Sequence, residues 1–462
     1  MNIIICGAGK VGFSISKQLS AQGHSITVID QSSELIQKIN EAQDVKGIVG
    51  TATFPSVLEK AGAEDADMII AVTKSDETNM VICQVAYSIF KVAKKIARIR
   101  TQEFLNAKFN KLFGEANLPI DVIISPEMEV ARSLQRRLEA PGALDNVPFA
   151  NNKITVLEIN VDKSCPLVNT ELTELTKKFP NLNANILGVI REGKFVILKK
   201  KDKLKVDDKA FVVISASQID LTLSAFGHEE KMSKKILIIG GGNIGYNLAK
   251  NLENDYEGIR VKIIEKNKER AEFIANELNN TIVINGDGLE EDVLKEANIQ
   301  EVETILSLTN DDEVNIMSSL LAKRLGARKV ITLINKAAYV DLVQGGMVDV
   351  ALSPQQATIG SLLTHVRRGD VVNVHSLRRG AAEAIEAIAH GDSRSSKVVG
   401  RKIREIKLPP GTTIGAIVRG EEVIMASSDV LVESDDHVIL FVMNKKHIAD
   451  VERLFQVGLG FF

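Results

Sequence analysis

One short stretch occurs twice in this chain, and it constrains the fold more than any other feature. The first copy runs Asn2-Ile3-Ile4-Ile5-Cys6-Gly7-Ala8-Gly9-Lys10-Val11-Gly12, the second Lys235-Ile236-Leu237-Ile238-Ile239-Gly240-Gly241-Gly242-Asn243-Ile244-Gly245. Each is an apolar run of strand length that breaks into G-x-G-x-x-G and continues as an amphipathic helix, expected over 13–21 and 246–252. Gly7 allows a tight turn, Gly9 lets backbone approach a pyrophosphate, and Gly12 lets the helix pack on the strand. Free N–H groups at the helix start then face negative charge. A second apolar strand follows each motif and ends in an acid, Asp30 or Glu265, 18 positions after Gly12 and 20 after Gly245. That is the separation at which a carboxylate holds ribose hydroxyls. A lone glycine motif also fits ordinary α/β packing; its repetition in the same context favours two nucleotide sites.

At 462 residues the chain has room for two to four domains, and without Trp their cores must be largely aliphatic. Lysine plus arginine (57) nearly balances aspartate plus glutamate (60), so bulk charge gives no reason to expect nucleic acid as a partner. Cys6, Cys83 and Cys165 lie far apart, with no C-x-x-C, which argues against a zinc or disulfide framework and suits a reducing compartment. No leader pattern opens the chain and no apolar run approaches bilayer length. A soluble cytoplasmic protein is expected.

After Asp30 strand and helix keep alternating. Strands are expected at 45–49, 66–72, 95–100 and 121–124, with helices at about 77–90 and 127–139. This implies a doubly wound parallel sheet. From about Lys153 the character changes to short strands at 154–161, 185–190, 194–198 and 209–215, with a helix at 171–179, a small α+β unit. The second half repeats the first. The glycines recur at an offset of 233, Asp76-Glu77-x-Asn79 returns as Asp312-Glu313-x-Asn315 at 236, and Ser125-Pro126 returns as Ser353-Pro354 at 228. Asp207-Asp208 likewise returns as Asp435-Asp436 at 228. The expected architecture is α/β, two Rossmann-like doubly wound parallel sheets each followed by a small α+β domain. The expected boundaries are 1–140, 150–226, 234–368 and 371–457.

Over essentially its full length the chain resembles the TrkA family, tandem RCK proteins that act as regulatory subunits of bacterial Trk potassium uptake systems. The residues that carry the resemblance are the two glycine motifs, Asp67-Met68, Thr73-x-Ser75-Asp76-Glu77-Thr78-Asn79-Met80 and Ile96-Ala97-Arg98-Ile99-Arg100. The second half adds Thr309-Asn310-Asp311-Asp312-Glu313, Tyr339-Val340-Asp341-Leu342-Val343-Gln344 and Ser353-Pro354-Gln355-Gln356-Ala357-Thr358. The stretch from Ser376-Leu377-Arg378-Arg379-Gly380 through His390-Gly391-Asp392 completes the set. The resemblance implies binding of NAD(H), and of ATP or ADP, assembly into a homo-tetrameric ring, and docking on a TrkH-like membrane channel at the cytoplasmic face of the inner membrane. It carries nucleotide contacts onto Gly7, Ala8, Gly9, Lys10, Val11, Asp30, Thr73, Lys74, Arg98 and Arg100. In the second half it carries them onto Gly240, Gly241, Gly242, Asn243, Ile244, Glu265, Asp287 and Thr309. One departure is Gly50-Thr51-Ala52, which stands where the second half has Gly286-Asp287-Gly288, so a contact from Thr51 is not carried over.

A carboxylate at Asp30 and Glu265 disfavours a 2′-phosphate, so NAD is expected over NADP. Arg98 and Arg100 stand two apart on an expected strand and so share a face. They either reach solvent or nearby acids, or they meet ligand phosphates, for which the planar guanidinium is well shaped. Their expected counterparts are Thr332 and Ile334, which leaves the first site better equipped for a triphosphate. Asp76-Glu77 and Asp312-Glu313 are first explained by helix capping and dipole pairing, with ligand hydroxyls or a divalent ion as the alternative. Arg367-Arg368 and Arg378-Arg379 read as a solvated face, or else as a contact with a partner or an anionic bilayer.

An oxidoreductase would need a general acid or base beside the nicotinamide, normally supplied by the partner domain. Here the first small unit has no histidine between Lys153 and Phe226, and no catalytic constellation is duplicated with the cofactor motif. Sensing is therefore the leading reading. An NAD-dependent oxidoreductase and a nucleotide-dependent scaffold are the alternatives.

Overall fold

The computed structural model describes residues 1–199, 201–343, 346, 348–366, 370–377 and 382–456. Six strands form the first sheet: β1 (Asn2–Cys6), β2 (Ser25–Asp30), β3 (Lys46–Val49), β4 (Met68–Ala71), β5 (Lys94–Arg98) and β6 (Val122–Ile124). Five form the next: β7 (Ala143–Phe149), β8 (Ile154–Asn160), β9 (Ala184–Arg191), β10 (Lys194–Val196) and β11 (Lys209–Ser215). The second half repeats both, as β12 (Lys235–Ile239), β13 (Arg260–Glu265), β14 (Ile282–Asn285), β15 (Thr304–Ser307), β16 (Lys329–Leu333) and β17 (Val350–Leu352), then β18 (Val371–Leu377), β19 (Ala382–Ala389), β20 (Thr412–Arg419), β21 (Glu422–Met425) and β22 (Asp436–Val442).

The chain divides into two compact units that cut across the repeat. The first holds both six-stranded sheets, in Met1–Ala131, Leu237–Asp255 and Val261–Leu362. Their strand orders correspond, β3-β2-β1-β4-β5-β6 and β14-β13-β12-β15-β16-β17. Strand β1 runs parallel to both β2 and β4. A sheet covered on both faces takes continuous apolar strands. Accordingly Ile3, Ile4, Ile5 and Cys6, and then Ile236 to Ile239, are all buried. The glycine helices start earlier than their apolar periodicity suggests, at Lys10 and Asn243, because the glycine turn feeds straight into the first helical residue.

The second unit, Arg132–Ile236, Tyr256–Arg260 and Leu363–Phe462, holds both antiparallel sheets. Their orders also correspond, β10-β9-β11-β8-β7 and β18-β19-β22-β20-β21. They share one core in which Phe149, Leu187 and Phe211 pack with Ala384, Ala416 and Phe441. The Phe195 and Phe441 rings stack at 4.7 Å, and Asn185 Nδ2 donates to the Gly415 and Ala426 carbonyls at 2.8 and 2.9 Å. The duplicated Asp-Asp turn has a definite role. Asp207 and Asp435 take left-handed backbone (φ 69° and 65°), a conformation aspartate tolerates better than most residues. The next residue turns inward. Asp208 accepts from Arg191 at 2.8 and 2.7 Å, and Asp436 from Arg419 at 2.9 Å twice.

Strand β7 escapes the pattern-based reading, which begins the small unit near Lys153. Asp145-Asn146 and Pro148 break its alternation, yet it pairs antiparallel with β8 as the edge of that sheet. A Pro at an edge position leaves no ladder bond unmade on the inner side. The helix Ile219–Ala225 was likewise not expected.

Candidate nucleotide site

In each half the glycine loop and the acid form one hydrogen-bonded piece. Gly7 sits at φ 114°, and a Cβ there would lie 2.9 Å from the Val72 carbonyl oxygen. A Cβ at Gly12 would lie 1.8 Å from the Gly7 oxygen, so only glycine lets helix and strand approach this closely. Gly9 is different: nothing lies within 4 Å of the Cβ it lacks. Gly240 (φ 105°), Gly245 (2.2 Å from the Gly240 oxygen) and Gly242 (nothing within 4 Å) repeat the arrangement. The open side of Gly9 and Gly242 is the ground a diphosphate would occupy, next to unsatisfied first-turn N–H groups. The residues present therefore fit a nucleotide. Asp30 accepts from Ala8 N at 2.6 Å and Ser32 N at 2.9 Å, while Glu265 accepts from Gly241 N at 2.7 Å and Asn267 N at 2.8 Å. Each carboxylate keeps further lone pairs for sugar hydroxyls.

A second device ties the loop after β4, and after β15, to the neighbouring strand. Asn79 Oδ1 accepts from the Thr73 amide (2.9 Å) and hydroxyl (2.7 Å), and its Nδ2 donates to the Arg98 carbonyl at 2.8 Å. Asn315 does the same for Thr309 and Leu333, and both asparagines are fully buried. The repeated D-E-x-N signal contained these residues without revealing that role. The helix caps are Ser75 and Asp311. Asp76 and Asp312 do something other than cap: Asp76 accepts from the Arg100 and Thr101 amides, and Asp312 from those of Asn335 and Lys336.

These bonds correct the register of the repeat. The counterparts of Arg98 and Arg100 are Leu333 and Asn335, not Thr332 and Ile334. Strand β5 also ends at Arg98, so Arg100 lies beyond it and the two do not share a strand face.

A cleft of 990 Å³ opens within the first unit. From the second half it is lined by Gly240, Gly242, Asn243, Ile244, Glu265, Asp287 and Thr309, and from the first by Lys10, Val11, Arg98, Arg100 and Glu127. Arg98 and Arg100, expected at the first glycine motif, thus line the cleft at the second. Gly7, Ala8, Gly9, Asp30 and Thr73 are not among its lining residues, and Lys74 borders a smaller hollow of 300 Å³ with Arg100 and Asn243. Arg98 Nε is buried without a hydrogen-bond partner, and burial, with Arg100 next, pulls its guanidinium below the ordinary value. Arg100 Nε donates to Glu127 at 2.7 Å. Asp287 is held below the usual carboxylate range by the hydrogen bond from Lys266, at 2.7 Å, and by the Leu289 amide. Lys336 pairs with Glu313 at 2.8 Å and brings that carboxyl down to about 2.

One cleft residue left no trace in the pattern. Arg270 donates from Nε to the Gly241 carbonyl at 2.9 Å and lies 5.5 and 5.0 Å from the Tyr246 and Phe273 rings. Leu35 holds the matching position in the first half, after the corresponding cap, so the repeat could not flag it. Among the described residues no group of three His, Cys, Asp or Glu is arranged to hold a metal ion, and no helix is long and apolar enough to cross a membrane. Arg367-Arg368 and Arg378-Arg379 lie outside the described residues.

Solved structures share this architecture. The crystal structure of the GsuK RCK domain superposes with a TM-score of 0.59 at 18% identity, over 98% of this chain and 94% of that one. The GsuK channel bound to NAD gives 0.60 at 18%, over 98% and 79%. The fold is that of a tandem RCK protein. The TrkA-N domain family matches residues 3–126 and 236–354, and the TrkA-C domain family matches 156–227 and 393–456. The Trk system potassium uptake protein TrkA of Halomonas elongata is 50% identical over all of both chains, and that of Vibrio alginolyticus 48% over 99% of each. A TrkA homolog of Methanosarcina mazei is 31% identical over 99% of this chain and 100% of its own. The chain belongs to the TrkA family.

Proposed function

We propose that this chain binds NAD(H), and ATP or ADP, in its two Rossmann domains, and that binding gates a membrane potassium channel subunit. It does so as a homo-tetrameric ring held at the cytoplasmic face of the inner membrane. The observation that carries the reading is the duplicated glycine loop and carboxylate, each with an open glycine where a diphosphate fits. The chain is a regulatory subunit and not an enzyme, in keeping with full-length relatives that are potassium uptake proteins. Bound NAD would supply no redox step here; its role is its shape and charge. Gly7 to Val11 and Gly240 to Ile244 would face the diphosphate, with Asp30 and Glu265 on ribose hydroxyls. Thr73 and Thr309 would stand at the strand ends beside the ligand, with Lys74 near the first and Asp287 on the far side of the second. Arg98 and Arg100 reach a phosphate across the cleft, which gives the buried Arg98 Nε the acceptor it lacks.

A nucleotide can gate only by binding one arrangement of the ring better than another. Taking the equilibrium from 1:99 to 99:1 needs about 5.5 kcal/mol. Several sites in a ring, each contributing roughly 1 kcal/mol, lie at the low end of ordinary coupling and suffice together.

Arg98→Ala combined with Arg100→Ala is expected to weaken ATP more than NADH, by at least about tenfold, the value of one charge-assisted hydrogen bond or more. Calorimetry checks this, and the same titration on Asp30→Ala reports the ribose contact. Equal loss for both ligands would return the arginines to a structural role.

A further inference from the structure

The helix Pro354–His365 begins at the cleft, and its second residue reaches into the other half of the chain. Gln355 Nε2 donates to the Lys10 carbonyl at 3.1 Å and also to the Ser14 hydroxyl. A carbonyl only accepts, so chemistry fixes which end of the amide faces it. Lys10 and Ser14 stand one turn apart at the start of the helix Lys10–Ser20, directly after its N-cap Gly9, where an added Cβ would meet nothing within 4 Å.

Among the described residues the other side has no matching clamp. Counting from Ser125-Pro126 and Ser353-Pro354, the counterpart of Gln355 is Glu127, and the counterparts of Lys10 and Ser14 are Asn243 and Asn247. A carboxylate has no hydrogen to donate. Glu127 instead turns one oxygen to Arg100 at 2.7 Å, and its other oxygen is buried with no hydrogen-bond partner. The Asn243 carbonyl takes its bond from within its own helix, from Asn247 Nδ2 at 2.7 Å. The two halves thus differ at every position that a clamp needs.

We propose that Gln355 is a positioning residue for the first-half nucleotide site. It sets the first turn of that site's helix from the second half, and thereby makes affinity at the first site depend on where the second-half helix sits. The inference rests on the nucleotide reading given above. A first-site ligand that pulls on this turn acts through Gln355 on the helix Pro354–His365. Anything that moves that helix acts back on the ligand, as coupling must.

The test uses the full chain carrying Gly242→Val, in which the first site is the one left open, titrated with NADH by calorimetry. Gln355→Ala is expected to weaken binding about threefold to tenfold, the range one or two neutral hydrogen bonds cover. The unfolding temperature should move by no more than about 2 °C, as for a substitution outside the core. Gln355→Glu should weaken it further, because its carboxylate meets the Lys10 carbonyl. Ser14→Ala added to Gln355→Ala should cost nothing more, since the two share one clamp. Unchanged affinity in Gln355→Ala, or a loss that appears only with an equal loss of thermal stability, overturns the proposal. Gly9→Val in the same background separates the two levels. If NADH still binds there, the site reading falls and the proposal with it; if binding is abolished while Gln355→Ala is silent, the proposal alone falls.

Discussion

Gly242→Val is expected to abolish nucleotide binding at the second site while leaving the protein folded. The Cβ at Gly242 meets nothing within 4 Å, and its backbone is not in the left-handed region, so the fold accepts a side chain there. The valine then stands on the ground a diphosphate needs, and a loss of at least about a hundredfold follows, close to 2.7 kcal/mol. Gly245→Val, three positions on, is expected to do the opposite. Its Cβ would lie 2.2 Å from the Gly240 carbonyl oxygen and 3.1 Å from Ile238, so the strand and helix must part before any ligand question arises. Calorimetric titration with NADH, together with thermal melts, checks both. A Gly242→Val protein that still binds both equivalents of nucleotide at unchanged affinity would remove the second glycine loop from the site.

Asp436→Ala should destabilise the second unit by about 3–5 kcal/mol, because it leaves Arg419 without the carboxylate that takes two of its hydrogen bonds. Asp436 is fully buried and also accepts from the Glu433 amide at 2.8 Å, so three hydrogen bonds are lost at once. A fall on the order of 10 °C in the melting temperature is expected for a unit of this size. The control is Asp429→Ala, which breaks the ion pair to Arg404. Both of those side chains are more than half exposed, and such pairs contribute about 1 kcal/mol or less. Melts in which the two variants move equally would show that the buried pair is no more than another surface bridge.

What the sequence shows and hides follows from which physical signals repeat. The glycine motifs, the acids Asp30 and Glu265, and the Asp-Asp turns recur in the same order in both halves, so each could be read twice. Strand β7 was hidden because an edge strand tolerates Pro148 and two polar residues that a central strand would not. The register of Arg98 and Arg100 went wrong by one residue, since an apolar strand reads equally well one position along. The bonds of Asn79 and Asn315 to the Arg98 and Leu333 carbonyls, and of Asp76 and Asp312 to the backbone amides beyond, fix it. Arg270, Glu127 and Gln355 share a different cause. They act across the cleft or lack a like residue in the other half, and neither local periodicity nor self-comparison can reveal a contact between distant segments.

The asymmetry of the cleft matters for how a duplicated chain can report two ligands. Lys10, Arg98 and Arg100 are cationic where the second half has Asn243, Leu333 and Asn335. On the proposed reading, a more highly charged nucleotide would be favoured where the first-half cations reach, and a dinucleotide would not be penalised at the other loop.

The central claim is that nucleotide occupancy changes potassium flux through a separate membrane subunit. The direct measurement reconstitutes a TrkH-like channel in liposomes, with and without this chain, and follows potassium flux as NADH, NAD, ATP and ADP are varied. The account predicts that flux responds to nucleotide only when the chain is present. It also predicts that Gly9→Val and Gly242→Val together erase the response without releasing the chain from the channel. Flux that is indifferent to all four nucleotides, or that still responds in the doubly blocked protein, would contradict it.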